Sequence, residues 1–212
     1  MQDYTLYWSK GSGAFCVAVM LEAAGVPHRL ERISLGQGDQ FGTEFLKVNP
    51  RGQVPALVLP DGQVMTESAA ICLYLGDRHP DCGLLPAMAE PERVPVQRWL
   101  VFAATQLYED DLRYYYPDRY AGEAACIEPV KRAAVAAFDR HLAMVAEAMG
   151  PGPFFLGERM TVLDVYLTML VSWHPECRPG TGRFPYLRAL CEATRADPRV
   201  APLWERFEME EI

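Results

Sequence analysis

The spacing of hydrophobic and polar positions changes character once along the chain, near residue 80. Before that point short apolar runs alternate with helix-like ones. Residues 5–8, Thr-Leu-Tyr-Trp, are rich in β-formers and run into the turn-forming Ser9-Lys10-Gly11-Ser12-Gly13. Residues 15–24 read as a buried helix, with Gly25 suited to C′ and Pro27 as a stop. Residues 30–35 predict a second strand, and 44–48 a short helix after the polar Asp39-Gln40. After the turn Asn49-Pro50-Arg51-Gly52-Gln53, residues 54–59 and 63–65 predict two strands joined by Asp61-Gly62, a hairpin signal. Residues 67–75 predict a helix. The expected order is β-α-β-α-β-β-α.

Beyond His79-Pro80 no strand signal follows. Residues 81–95 are proline-rich and read as a linker, while 96–116, 128–149, 161–173, 186–195 and 202–208 carry helical composition or periodicity. The expectation is an α/β domain over 1–80, a linker over 81–95 and an all-α domain over 96–212.

Composition narrows the function classes. At 212 residues with 50% hydrophobic content, the chain has ample material for a folded core. A formal net charge of −8 lacks the basic footprint of a nucleic-acid or anionic-membrane binder. No apolar run approaches the ~18 residues of a bilayer span. The start, Met-Gln-Asp-Tyr, shows no secretory leader, and six cysteines without a CxxC pair fit reduced thiols in a cytoplasm. The four histidines show no metal-ligand spacing, so no metal is expected.

Several short segments can carry chemistry. Val54-Pro55 opens a strand either as an ordinary trans proline or as a cis proline, which would turn the Val54 N–H and C=O toward an extended peptide-like ligand. In Thr66-Glu67-Ser68, Ser68 at a helix start suits a carboxylate and Glu67 an ammonium, although simple capping explains the pattern equally well. Ser12, at the start of the first helix, could donate to a ligand thiolate. Gly11-Ser12-Gly13 lacks the third glycine of a dinucleotide fingerprint, since Cys16 stands there. Cys16 reads as a redox thiol or, more commonly, as buried packing. Thr161-Val162-Leu163-Asp164 forms a capping-box pattern, with Met160 and Val165 as its staple. Tyr108, Tyr114, Tyr115, Tyr116 and Tyr120 could stack an aromatic substrate or serve as core.

Taken together, these residues resemble the glutathione S-transferase superfamily over essentially the whole chain. The carriers are 49–57 (Asn-Pro-Arg-Gly-Gln-Val-Pro-Ala-Leu), 67–75 (Glu-Ser-Ala-Ala-Ile-Cys-Leu-Tyr-Leu) and the capping box behind Gly157. The resemblance implies a thioredoxin-like N-terminal domain, a helical-bundle C-terminal domain, glutathione as co-substrate and a cytoplasmic homodimer. It implies that Val54 pairs with the cysteinyl backbone, that Glu67 and Ser68 hold the γ-glutamyl end, and that Gln40 and Gln53 supply polar contacts. Gly13 stands where beta-class members carry a cysteine, so the likeness is to serine-activated zeta- or theta-like members, with Ser12 as the catalytic residue and Ser9 and Tyr7 behind it. The implied activity is conjugation of glutathione to a small hydrophobic electrophile, in the manner of a detoxification enzyme. The rivals are a thiol reductase or lyase using Cys16, and a non-catalytic glutathione-binding member.

Overall fold

The computed structural model describes residues 3–175 and 185–209, so Cys177 lies outside the described residues. Contacts divide the chain into two compact units, Met1–Arg93 with Arg195–Glu210, and Val94–Thr194. The sequence pattern assigned everything after residue 96 to the helical domain. Residues 195–209 instead pack with the first unit, because their apolar side chains are buried against its first strand and helix.

The first unit is a four-stranded sheet in the order β2-β1-β3-β4, built from β1 (Tyr4–Trp8), β2 (His28–Arg32), β3 (Ala56–Val58) and β4 (Val64–Thr66). β1 pairs with β2 in parallel and with β3 antiparallel, and β3 pairs antiparallel with β4. The second strand lies two residues earlier than the apolar run suggests, because its register is set by β1, from Tyr4 against His28 to Trp8 against Arg32. β3 starts after Pro55, which has no N–H to give to a ladder.

Helix α1 (Ala14–Ala23) is buried at every position from Ala14 to Leu21. Gly25 stands at φ 60 behind it, the left-handed C′ position that its sequence predicts. Helix α2 (Thr43–Val48) adds Phe45 to a cluster with Ile33 and Ala56, against which Tyr7 and Val54 pack. Helix α3 (Ser68–Arg78) follows β4, three residues longer at its C-terminal end than its sequence pattern suggests. The buried guanidinium of Arg93 forks onto Asp77 near the end of α3, at 2.6 and 3.0 Å, and holds that carboxyl below the usual range.

The second unit is helical. Helix α4 (Arg93–Phe102) passes through a π-helical turn at Ala103–Leu107 into α5 (Tyr108–Tyr115). α6 (Ile127–Ala148) turns Ala134, Phe138, Leu142 and Val145 inward, and α7 (Val162–Trp173) is buried from Val162 to Ser172. α8 (Pro185–Ala196) leads back to α9 (Ala201–Arg206), which belongs to the first unit. The Thr161 capping box is present, and Met160 and Val165 are both buried. No described helix is long and apolar enough to cross a membrane.

Candidate functional site

Strand register gathers the candidate residues at one end of the sheet. Tyr7 lies opposite Ala56, and Ala56 opposite Thr66. The loop after β1 (residues 9–13), the approach to β3 (53–55) and the start of α3 (67–68) therefore leave the sheet at the same edge. The parallel β2 ends there too, since Trp8 lies opposite Arg32. The chain then runs through Ser34 and Asp39 to Gln40, with the Ser34 N–H donating to Asp39 Oδ2 at 3.1 Å.

Residues 49–55 form the central part. Buried Asn49 donates from Nδ2 to the Gln53 carbonyl at 2.7 Å and accepts the Arg51 N–H at 3.1 Å, which folds the loop on itself. Gly52 stands at φ 61, and a Cβ there would meet the Gln40 carbonyl at 3.0 Å and the Phe41 ring at 3.1 Å. Glycine is thus what lets the 39–41 turn approach the loop. Gln40 carries its Oε1 buried without a hydrogen-bond partner. The Val54–Pro55 peptide bond is cis. Among the described residues the Val54 N–H and C=O have no hydrogen-bond partner, whereas the Gln53 carbonyl is occupied by Asn49. One residue of backbone thus stands ready to pair with an extended peptide.

Glu67 adopts φ 65 and ψ 99, a backbone conformation that side-chain-bearing residues rarely take. Strain of about 1–3 kcal/mol at a single residue persists only where its surroundings enforce it. Here the Ile71 N–H bonds to the Glu67 carbonyl, and Arg51 Nη1 pairs with Glu67 Oε1 at 2.9 Å. The Glu67 side chain does not cap α3, and the first-turn amides of a helix favour an anion. Ser68, buried, is its first residue. Glu67, Ser68, Gln53 and Val54 thus share one neighbourhood, with Gln40 joined through Gly52.

Ser12 is placed at the same sheet end, with its hydroxyl already engaged. Its Oγ donates to the Ser9 carbonyl at 2.7 Å and accepts the Ser9 N–H at 3.3 Å. A serine has one proton, so in this loop conformation Ser12 closes the loop on Ser9, and donation to a sulfur requires that proton to turn away from the carbonyl. Gly13, not Ser12, is the N-cap of α1. Sequence shows a serine at a helix start but not where its proton goes.

Cys16 is fully buried; burial and the adjacent Cys72 thiol push its pKa well up. Such a thiol keeps its proton and is a poor nucleophile. None of the described cysteines forms a disulfide.

The tyrosines of the second unit are largely engaged. Tyr115 donates to the Trp173 carbonyl, Tyr120 to Glu109 at 3.2 Å, and Arg119 lies over the Tyr116 ring at 4.0 Å. Tyr108 meets the Trp173 ring edge-on at 5.3 Å. The sequence reading passed over a buried pair beside them. Asp110 accepts from His141 Nδ1 at 2.7 Å, and Asp111 carries a buried Oδ2 without a hydrogen-bond partner. Burial pushes the Asp111 carboxyl well above the usual range, and the neighbouring Asp110 charge adds to that. Among the described residues no group of three His, Cys, Asp or Glu side chains could hold a metal ion.

Residues 14–78 match the family model of the glutathione S-transferase N-terminal domain, and residues 128–193 that of the C-terminal domain. The chain is 31% identical to the glutathione S-transferase GstA of Escherichia coli O157:H7, over 79% of this chain and 81% of that one. A solved glutathione transferase from Methylococcus capsulatus superposes with a TM-score of 0.82 at 31% identity, over 97% of this chain and 98% of its own. A sphingomonad glutathione S-transferase solved with glutathione gives 0.81 at 26% identity, over 96% and 98%.

Proposed function

Because the chain belongs to the glutathione S-transferase family, we propose that it binds glutathione along the loop end of its sheet and conjugates the thiolate to a small hydrophobic electrophile. The observation that carries this reading is the pair of unpartnered Val54 backbone groups beside the N-terminus of α3. The Val54 N–H and C=O pair with the cysteinyl residue in the manner of an added strand. The γ-glutamyl carboxylate meets Ser68 and the first-turn amides of α3, and its ammonium meets Glu67. Gln40, whose buried Oε1 lacks a partner, and Gln53 take the remaining polar contacts. A net-acidic protein binds this anion through local helix amides and backbone donors rather than through its overall field.

The chemistry follows from that placement. The thiol gives its proton to solvent, and the Ser12 hydroxyl turns from the Ser9 carbonyl to donate to the sulfur. One neutral hydrogen bond, worth about 1 kcal/mol, is exchanged for a stronger charge-assisted one. The sulfur then forms a bond to the electrophilic carbon as the leaving group departs with the bonding pair. Rate comes from raising the thiolate fraction and holding it in line. The enzyme works as a cytoplasmic homodimer of the serine-activated type, in a detoxifying role.

Retention on immobilised glutathione, with turnover of aromatic halides, epoxides or hydroperoxides, is the expected result. Absence of both overturns the reading. The raised pKa and complete burial of Cys16 speak against a reductase or lyase working through it. Cys16→Ser is therefore expected to keep full activity. Calorimetric binding of glutathione without any turnover would mark a non-catalytic member instead.

A further inference from the structure

The loop that carries Ser12 is gripped from far along the chain. Gly11, at φ 53, donates its N–H to the Phe207 carbonyl at 3.0 Å. The fully buried Phe207 ring lies 4.3 Å from Trp8 and 6.0 Å from Phe15, centroid to centroid. The next residue, Glu208, stands at φ 49, and its carboxylate pairs with Lys10 Nζ at 2.8 Å and Arg32 Nη2 at 3.3 Å. Lys10 belongs to the 9–13 loop and Arg32 ends β2, so one carboxylate ties the loop to the neighbouring strand.

We infer that Phe207 and Glu208 are positioning residues, a clamp that fixes the conformation in which the 9–13 loop presents its hydroxyl and the start of α1 to the glutathione thiol. The inference rests on the functional reading above. Exposed ion pairs contribute little adhesion on their own. The grip therefore comes from the buried Phe207 ring and the Gly11 hydrogen bond, while the Glu208 pairs set where the loop stops. A non-glycine residue at positive φ persists only where its contacts enforce it, which fits a segment held at several points. The Ser12–Ser9 bonds make the loop a single stiff unit, so a shift at Gly11 carries to the hydroxyl. A misplacement of about 1 Å at reacting groups is enough to cost ~100-fold in rate.

Glu208 has a second effect of opposite sign, which makes the clamp testable. Its carboxylate neutralises two cations beside the loop. If charge alone mattered, removing it would favour the bound thiolate and lower the thiol pKa. If position matters, the thiol loses aligned donors and its pKa rises.

The test uses Glu208→Gly, which suits positive φ and spares the fold, with Lys10→Gln and the double variant. Hydrogen exchange of the 9–15 amides is read without ligand. The ultraviolet absorbance of bound thiolate is followed against pH, alongside calorimetric glutathione binding and kcat. The clamp predicts exchange in 9–15 about 2–5-fold faster, the reach of exposed ion pairs with the Phe207 ring still in place, at an unfolding midpoint within a few degrees of wild type. It predicts glutathione affinity within about twofold, a bound-thiol pKa raised by roughly half to one unit, and kcat lowered in step with the smaller thiolate fraction, by at most about 3–10-fold well below the thiol pKa. In loop exchange the double variant should match Glu208→Gly, because the Lys10 pair is already broken there. Unchanged exchange, or an unchanged or lowered thiol pKa, overturns the clamp. If wild type binds no glutathione, the functional reading fails and the clamp stands or falls on exchange alone.

Discussion

Two helix starts, one in each unit, show opposite uses of the same device. At α7 the Thr161 N–H and Oγ both donate to Asp164 Oδ2, at 2.7 and 2.9 Å, and the Phe155 N–H donates to Oδ1 at 2.7 Å. Asp164 is fully buried, and Thr161 takes a relaxed extended backbone at φ −129. At α3 the acidic residue is two-thirds exposed, stands at φ 65 and caps nothing. A helix start that serves folding pairs its polar atoms internally. The α3 start, which the proposed function assigns to glutathione, instead holds a strained residue at its opening.

The largest expected effect breaks the α7 side. Asp164→Ala strands buried donors and is expected to cost about 3 kcal/mol or more in chemical denaturation, with glutathione affinity of the folded fraction unchanged. A loss under 1 kcal/mol would mean the box is dispensable. At α3 the split is reversed. Glu67→Ala is expected to weaken glutathione binding at least tenfold by calorimetry while moving stability by no more than about 1 kcal/mol. Glu67→Gly should weaken binding similarly yet raise stability by roughly 1 kcal/mol, because the strain is relieved. Thr161→Ala, which removes a cap hydroxyl but leaves Asp164 its two amide donors, should cost about 1 kcal/mol in the same denaturation experiment.

The smallest effect concerns a carboxyl that lacks the donors Asp164 enjoys. Asp111 keeps its proton to higher pH when folded than when unfolded, so its contribution to stability is complete at acidic pH and drains away as pH rises through its folded pKa. Asp111→Asn never ionises. Thermal unfolding should show no gain below the ordinary carboxyl range and a gain that grows toward neutral pH. A gain independent of pH would place the cause in packing rather than ionisation.

What was legible in the sequence was local. The 49–55 turn and the capping box each lie within a few residues and fold as their own side chains dictate, and α3 follows from the apolar run after Glu67. The architecture followed from the change of periodicity near residue 80. What escaped was set by distant partners or by the choice of a single proton. Register with β1 moved β2, and the direction of the Ser12 hydroxyl depends on the Ser9 carbonyl. The charged run at Glu109-Asp110-Asp111 has the composition of a solvated face, yet two of the three are buried. The Phe207 and Glu208 contacts had no local signature at all.

Those last contacts bear on how the protein is made. Arg32 and Glu208 are 176 residues apart in sequence, and the first unit draws on both regions. At translation rates of ~5–20 residues per second, residues 1–93 emerge on the order of ten seconds before 195–209. During that interval the nascent sheet holds Trp8 and Phe15 without the rings of Phe207 and Trp204 that later cover them. Residues 1–93 expressed alone would remain in that state. The 9–13 loop, proposed to meet the thiol, is among the first segments synthesised and among the last to be secured.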